Sequence, residues 1–274
     1  MRSPRTALVT GASRGLGRAS VVELIGRGWH VLGAMRSPDR DGPDLVGQVS
    51  GLRGDLELVR LDLDSDASIR AVGGLCTERV PDALIHIAGL APSAAFEDIP
   101  HEERVSTLQT NLLGPMLLTE LLLPAMRARG TGRIVAVASL AARIGLPLAS
   151  VYGASKAGLE RWIEGLATEI HQFGLSAHVI ESGMFATDMM ANSDVPAPEG
   201  PYGPMYAKFS KRRAGVVAKA KPAEQFARAL ADFVERPKAP VLKPVGTDAI
   251  GAYYAQRLIP AGVISTALKH VVKP

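Results

Sequence analysis

Three residues in this chain have the chemistry and spacing of a carbonyl-reducing set: Ser139-x12-Tyr152-x3-Lys156. A free phenol is a weak acid at neutral pH, with a pKa of about 10. A lysine four residues on lies one helical turn along the same face, where its charge would favour the phenolate and lower that pKa. A hydroxyl from a neighbouring strand would hold a carbonyl oxygen where the phenol delivers its proton. This equipment suits reduction of a ketone by a hydride donor.

A donor site is legible far upstream, in Thr10-Gly11-Ala12-Ser13-Arg14-Gly15-Leu16-Gly17. This loop follows a strand-like run at 5–10 and opens a helix-like segment at 15–28. Gly11, Gly15 and Gly17 allow a tight turn and let the backbone approach a pyrophosphate at the helix N-terminus. The next strand decides the cofactor. It ends Gly33-Ala34-Met35-Arg36-Ser37, without the carboxylate that would hold a ribose 2′-hydroxyl. Arg36 can instead fork onto a 2′-phosphate, with Arg14 as a second arginine and Ser13 as a hydroxyl donor. The expected cofactor is NADP(H); the competing reading of Arg36 is a solvated surface arginine. Asp62, with Leu63 beside it, is placed to meet the adenine. Asp62 reads almost as well as a cap for the helix starting near Ser65.

The elements that must position these groups alternate. Apolar strand-like runs occur at 5–10, 30–35, 57–62, 82–87, 132–138 and 176–181, with amphipathic segments between them, most clearly 15–28, 66–79, 102–129 and 151–173. This pattern predicts an α/β fold with a doubly wound parallel sheet and ligands at the carboxyl ends of its strands. A Pro/Gly-rich stretch with interleaved Met, Tyr and Phe breaks the pattern near 188–215 and reads as a lid. A helix starting at Pro222, a strand at Pro240-Val241-Leu242 and a helical tail over 249–274 follow. No second-domain boundary is evident over 1–274.

Composition narrows the classes. The chain has 274 residues, 47% hydrophobic, enough for one sizeable core. Its charge is +4, but the basic residues are scattered and no nucleic-acid motif accompanies them; Lys208, Lys211, Arg212 and Arg213 form a solvated cluster. The one cysteine, Cys76, has no metal-ligand companions and reads as a core thiol. No 18-residue apolar run and no signal-peptide pattern is present, so the expectation is a cytoplasmic protein without a membrane segment.

Together these residues resemble the short-chain dehydrogenase/reductase family along nearly the whole chain, most strongly over 5–190. The resemblance implies a Rossmann-like sheet of about seven strands. It implies that Tyr152 and Lys156 are the catalytic pair and that Ser139 orients the carbonyl. Asn111, in Thr110-Asn111-Leu112-Leu113-Gly114, then completes a tetrad through a bound water. It also implies that Lys156 holds the nicotinamide ribose. The chain departs from the family twice. His86-Ile87-Ala88-Gly89 stands where the family has Asn-Asn-Ala-Gly; Ala88 and Gly89 still let the backbone pass close to the cofactor, and His86 reads as a core histidine. Ser182-Gly183 stands where the family has Pro-Gly. The backbone near Phe185 and the Thr187 hydroxyl are expected to reach the nicotinamide amide.

The expected substrate is an apolar, fairly bulky ketone or secondary alcohol, polyketide-, steroid- or retinoid-like, met by Leu90, Leu146, Met184, Met189, Tyr202 and Tyr206. Alternatives are a non-turnover NADP(H)-binding regulatory protein and a reductase acting within an epimerisation or cyclisation step. Apolar residues beyond one core-facing stripe on 102–129 and 151–173 predict a homodimer or homotetramer, consistent with the pairing of these two helices that the family resemblance implies.

Overall fold

The computed structural model describes residues 4–187 and 199–272. Thr6–Thr10 (β1), His30–Met35 (β2), Asp55–Arg60 (β3), Ala83–His86 (β4), Gly132–Ser139 (β5), Leu175–Ser182 (β6) and Leu242–Val245 (β7) form a seven-stranded parallel sheet in the order β3-β2-β1-β4-β5-β6-β7. The central strands read as unbroken apolar runs because both faces are covered. Helices α1 (Gly15–Gly26), α2 (Pro38–Val49) and α8 (Ala223–Glu235) lie over one face, around Val21, Leu24, Leu45, Phe226 and Leu230. Helices α3 (Asp66–Glu78), α5 (Gly114–Arg129) and α6 (Ser150–Ile170) cover the other, around Ile69, Leu118, Leu122, Leu159 and Ile163. The order reverses between β1 and β4, so the loops after these strands diverge and open a cleft at their carboxyl ends.

The helix expected over 102–129 is interrupted. It divides into α4 (His101–Leu108), a π-helical turn at Gln109–Leu113 and α5. Its second apolar face is largely used inside the chain: Leu121 packs on Gly73 of α3 and Leu112 on Gly158 of α6. Val105, Leu108 and Leu113 remain exposed. The segment at 38–49, which carries Pro43 and three acidic residues, forms a helix because Gly42, Leu45 and Val49 bury one stripe; a Cβ on Gly42 would come within 2.3 Å of Leu58 Cδ1. The expected last strand is displaced to Leu242–Val245. The helical tail breaks at Pro260 into α9 (Thr247–Leu258) and α10 (Ala261–Val272). Of the expected lid, Gly203–Val217 is helix α7, while Met189 lies outside the described residues. No described helix is long and apolar enough to cross a membrane.

Candidate active site

The cleft begins where β1 ends. Thr10 Oγ1 accepts the backbone N–H groups of Ile87 (3.1 Å) and Ala88 (3.3 Å), tying the loops after β1 and β4 together. Gly11 has φ +75°, and a Cβ there would lie 2.8 Å from Ala88 Cα. A Cβ on Gly17 would lie 2.0 Å from the Gly11 carbonyl oxygen, so helix α1 can seat on this turn only without one. No side chain caps the first N–H groups of α1, which leaves the positive end of the helix for an anion. The cleft is lined by Gly11, Ser13, Arg14, Gly15, Leu16, Gly17, Arg36, Asp62, Leu63, Ala88, Gly89, Leu90 and Thr187. Thirteen residues named from sequence thus share one cleft.

Arg14 and Arg36 are both exposed at its rim. They also lie on one side of it: Asp41 is held below the usual carboxylate range first by its hydrogen bond to Arg40 and further by the charges of Arg14 and Arg36. Asp62 is not the cap of α3. The cap of α3 is Ser65, whose Oγ accepts from Ser68 N–H at 3.3 Å. One Asp62 carboxylate oxygen accepts Asp64 N–H at 3.0 Å, and the residue faces the cleft.

At the other end, Tyr152 and Lys156 sit one turn apart on α6, and Ser139 closes β5. A Cβ at Gly153 would lie 3.0 Å from the Ala141 carbonyl oxygen, so this glycine lets α6 approach the loop that carries Ser139. Ser139 Oγ accepts Ala141 N–H at 3.2 Å. Burial pushes the Tyr152 phenol above its ordinary pKa, and the Ser139 hydroxyl beside it pulls it down by less. Burial also lowers the Lys156 ammonium to about 8. Lys156 Nζ donates to the Val137 carbonyl at 2.9 Å. The expectation that Lys156 would lower the phenol's pKa therefore does not describe this state: the ammonium is turned to the strand end, and desolvation decides the sign.

The π-turn brings in Asn111. Its Nδ2 donates to the Leu90 carbonyl (2.8 Å) and Ser155 Oγ (2.9 Å), and its Oδ1 accepts Leu90 N–H (2.7 Å). Ser155 Oγ in turn donates to the Tyr152 carbonyl at 2.7 Å. Both N–H donors and one acceptor site of the carboxamide fix Leu90 and α6 relative to each other. His86 is buried, hydrogen-bonded through Nε2 to Thr119 Oγ1 at 2.9 Å, and held neutral by burial, with its pKa lowered to about 3. That is the core histidine expected from sequence.

Beyond β6, Phe185 is buried edge-on against Phe226, with ring centroids 5.4 Å apart, so its side chain serves the core. A Cβ added to Gly15 would meet Thr187 at 3.2 Å, bringing the two sides of the cleft together.

A glycine loop at an uncapped helix N-terminus, two rim arginines and a Ser–Tyr–Lys set now stand on one strand crest, and the short chain dehydrogenase family profile matches residues 5–196. The chain belongs to this family. It is 33% identical over 198 residues to the ketoacyl reductase HetN of Nostoc sp., covering 71% of this chain and 69% of that one. Its fold is similar to a short-chain dehydrogenase of Streptomyces avermitilis (TM-score 0.82, 29% identity, 98% and 97% of the two chains). A short-chain dehydrogenase of Sphingobium yanoikuyae, solved with NADPH, shares the fold at 21% identity (TM-score 0.76, 95% of each chain).

In this dehydrogenase the sequence-named substrate residues divide. Leu90 borders the cleft, Leu146 is half-buried and Met184 is 39% exposed. Tyr206 is buried. Its hydroxyl accepts Ala95 N–H at 2.9 Å and donates to Asp98, latching α7 onto the loop after β4; Tyr202 packs against it. Leu148, in the left-handed region with φ +59°, packs in the same cluster.

Sequence reading missed a buried ionic cluster behind Ser139. Arg143 pairs with Glu160 (3.0 Å) and with Glu181. Glu160 is one turn beyond Lys156 on α6, and Glu181 precedes Ser182 on β6.

Proposed function

We propose that this protein is an NADP(H)-dependent reductase interconverting a ketone and a secondary alcohol on an apolar, fairly bulky substrate. The observation that carries the reading is the Ser139 hydroxyl beside the Tyr152 phenol, one helical turn from Lys156, next to Gly89 of a cleft whose far rim holds Arg14 and Arg36. When bound, the reduced nicotinamide supplies hydride to the carbonyl carbon. Tyr152 donates its proton to the carbonyl oxygen as general acid. Its raised pKa keeps it protonated at neutral pH. Ser139 hydrogen-bonds the same oxygen and stabilises the negative charge developing there. Lys156, lowered to about 8, is within reach of proton exchange near neutrality. It lies where a nicotinamide ribose would pass, because a Cβ on Gly89 would be 3.4 Å from its Nζ. Asn111 acts through position, holding Leu90 and the start of α6.

Arg36 and Arg14 supply the guanidinium pair for a 2′-phosphate, and no acid ends β2 to favour NAD. Leu90 on the cleft, with Leu146 and Met184 as the further apolar candidates, supports an apolar substrate, in keeping with the name of the Nostoc relative, a ketoacyl reductase. The exposed Val105, Leu108 and Leu113 support a homodimer or homotetramer through α4 and the π-turn.

The test is NADPH consumption over a panel of aliphatic, aromatic and polycyclic ketones, with NADH and Tyr152→Phe as controls. Turnover with NADPH that disappears in Tyr152→Phe supports the reading. Saturable NADPH binding without turnover on any carbonyl would favour a regulatory binding protein instead.

A further inference from the structure

We propose that Asp248, the second residue of α9, is a positioning residue for the nicotinamide end of the cofactor, a role that rests on the NADP(H) reading above. Asp248 Oδ2 accepts the Met184 backbone N–H at 2.6 Å. Its other oxygen occupies the space a side chain on Gly183 would need: a Cβ there would be 2.0 Å from Oδ1. Gly246, with φ +106°, yields on the opposite side, since its Cβ would be 2.8 Å from the same oxygen. Two glycines from separate segments therefore make room for one carboxylate.

The peptide it holds runs from β6 to Thr187. Gly183 N–H donates to the Val245 carbonyl at 2.8 Å. Ala186 N–H donates to the Lys221 carbonyl at 2.8 Å, and Phe185 pairs with Lys221 as an isolated parallel bridge. The segment is thus fastened on both edges, and Thr187 then meets Gly15 across the cleft. Helix α9 is itself anchored to the loop after Ser139. Gln256 Nε2 donates to the Arg143 carbonyl at 3.0 Å, and the Arg143 guanidinium lies 4.8 Å from the Tyr253 ring centroid. One helix therefore ties the peptide bordering the nicotinamide to the loop carrying Ser139. At Ser182 the chain lacks the proline of its family, and Asp248 restrains the next two residues by a different means.

A carboxylate near a helix N-terminus also interacts favourably with the helix dipole, so the test must separate that effect from the Met184 bond. Titration calorimetry would measure NADPH and adenosine 2′,5′-bisphosphate, which lacks the nicotinamide half, against wild type, Asp248→Ala and Asp248→Asn. The expected result is a roughly tenfold loss of NADPH affinity in Asp248→Ala, the scale of one hydrogen bond to a charged group. The bisphosphate affinity stays unchanged, and Asp248→Asn, whose amide oxygen can still accept the bond, stays near wild type. Gly183→Ala, whose methyl displaces the carboxylate, should reproduce the selective loss. The proposal is overturned if Asp248→Ala binds NADPH as wild type does, if both ligands weaken equally, or if Asp248→Asn behaves like Asp248→Ala. Wild type that binds neither ligand sinks the cofactor reading instead.

Discussion

The two ends of the cleft are built differently. The glycine-loop end is made almost wholly from one strand–loop–helix unit, β1 to α1, with the tip of β2 beside it. Its geometry depends on absent side chains, at Gly11 and Gly17, and on unspent backbone N–H groups. The Ser139–Tyr152 end draws on β5, β6, the π-turn, α6 and α9. It is held by side chains that bridge long sequence distances: Asn111 to Ser155, Arg143 to Glu160 and Glu181, Asp248 to Met184. Binding a phosphate needs donors and room, which a short loop supplies. Delivering a proton to a particular oxygen needs several groups fixed within fractions of an ångström, which only a web of distant contacts supplies.

Damage at the two ends should therefore have different signatures. Tyr152→Phe should give the largest effect, a fall in kcat of about 10³-fold with NADPH and bisphosphate affinities unchanged, read by steady-state kinetics beside calorimetry. Gly17→Ala should weaken both ligands by about 100-fold or more, because its methyl meets the Gly11 carbonyl at 2.0 Å; equal binding by this variant would break the contrast. Arg36→Ala should raise the KM for NADPH by about tenfold, in line with the loss of a charge-assisted bond, while that for NADH stays put. An equal change with both cofactors would return Arg36 to the solvated surface.

The smallest effect concerns the supports. Glu181 has its pKa raised from 4.5 to about 8, by burial first and then by Glu160, with Arg143 opposing. Between those values the folded protein keeps a proton that the unfolded chain has lost, so stability falls as pH rises. His86 acts oppositely at lower pH: below 6.5 the unfolded chain gains a proton that the folded state refuses. Between pH 6.5 and about 7.5 the Glu181 effect is largely free of that opposition, with Lys156, lowered to about 8, opposing it at higher pH, and the slope should be at most about 1.4 kcal/mol per pH unit. Thermal melts across this range should fall with pH in wild type and flatten in Glu181→Gln. A flat wild-type profile would show that Arg143 keeps the carboxylate ionised throughout.

Most of the glycine-loop end is legible in the amino-acid sequence. Its signals are contiguous: a glycine loop between an apolar run and a helix, and a strand end lacking an acid. Tyr152 and Lys156 are legible for a similar reason, since the i,i+4 spacing on a helix is local, whereas Ser139 lies on β5 and is picked out through the family resemblance. The environment of Tyr206 is not: an aromatic residue in a lid reads the same whether it faces a ligand or latches onto Asp98. The interruption at Gln109–Leu113 is invisible in the sequence because a π-turn inserts one residue into an otherwise regular apolar period, and that insertion is what aims Asn111 at Leu90.

The sequence by itself determined the alternation of strands and helices, the glycine turn before α1 and the Tyr152–Lys156 spacing, because each depends on residues within a few positions of one another. Tertiary structure decided which buried charges meet, that Asp62 faces the cleft while Ser65 caps α3, and that Gly183 is kept bare to admit the carboxylate of Asp248, 64 residues away from Met184 in the chain. Such pairings follow from sheet order and helix packing, where the free energy comes from excluding water between surfaces that no local spacing encodes.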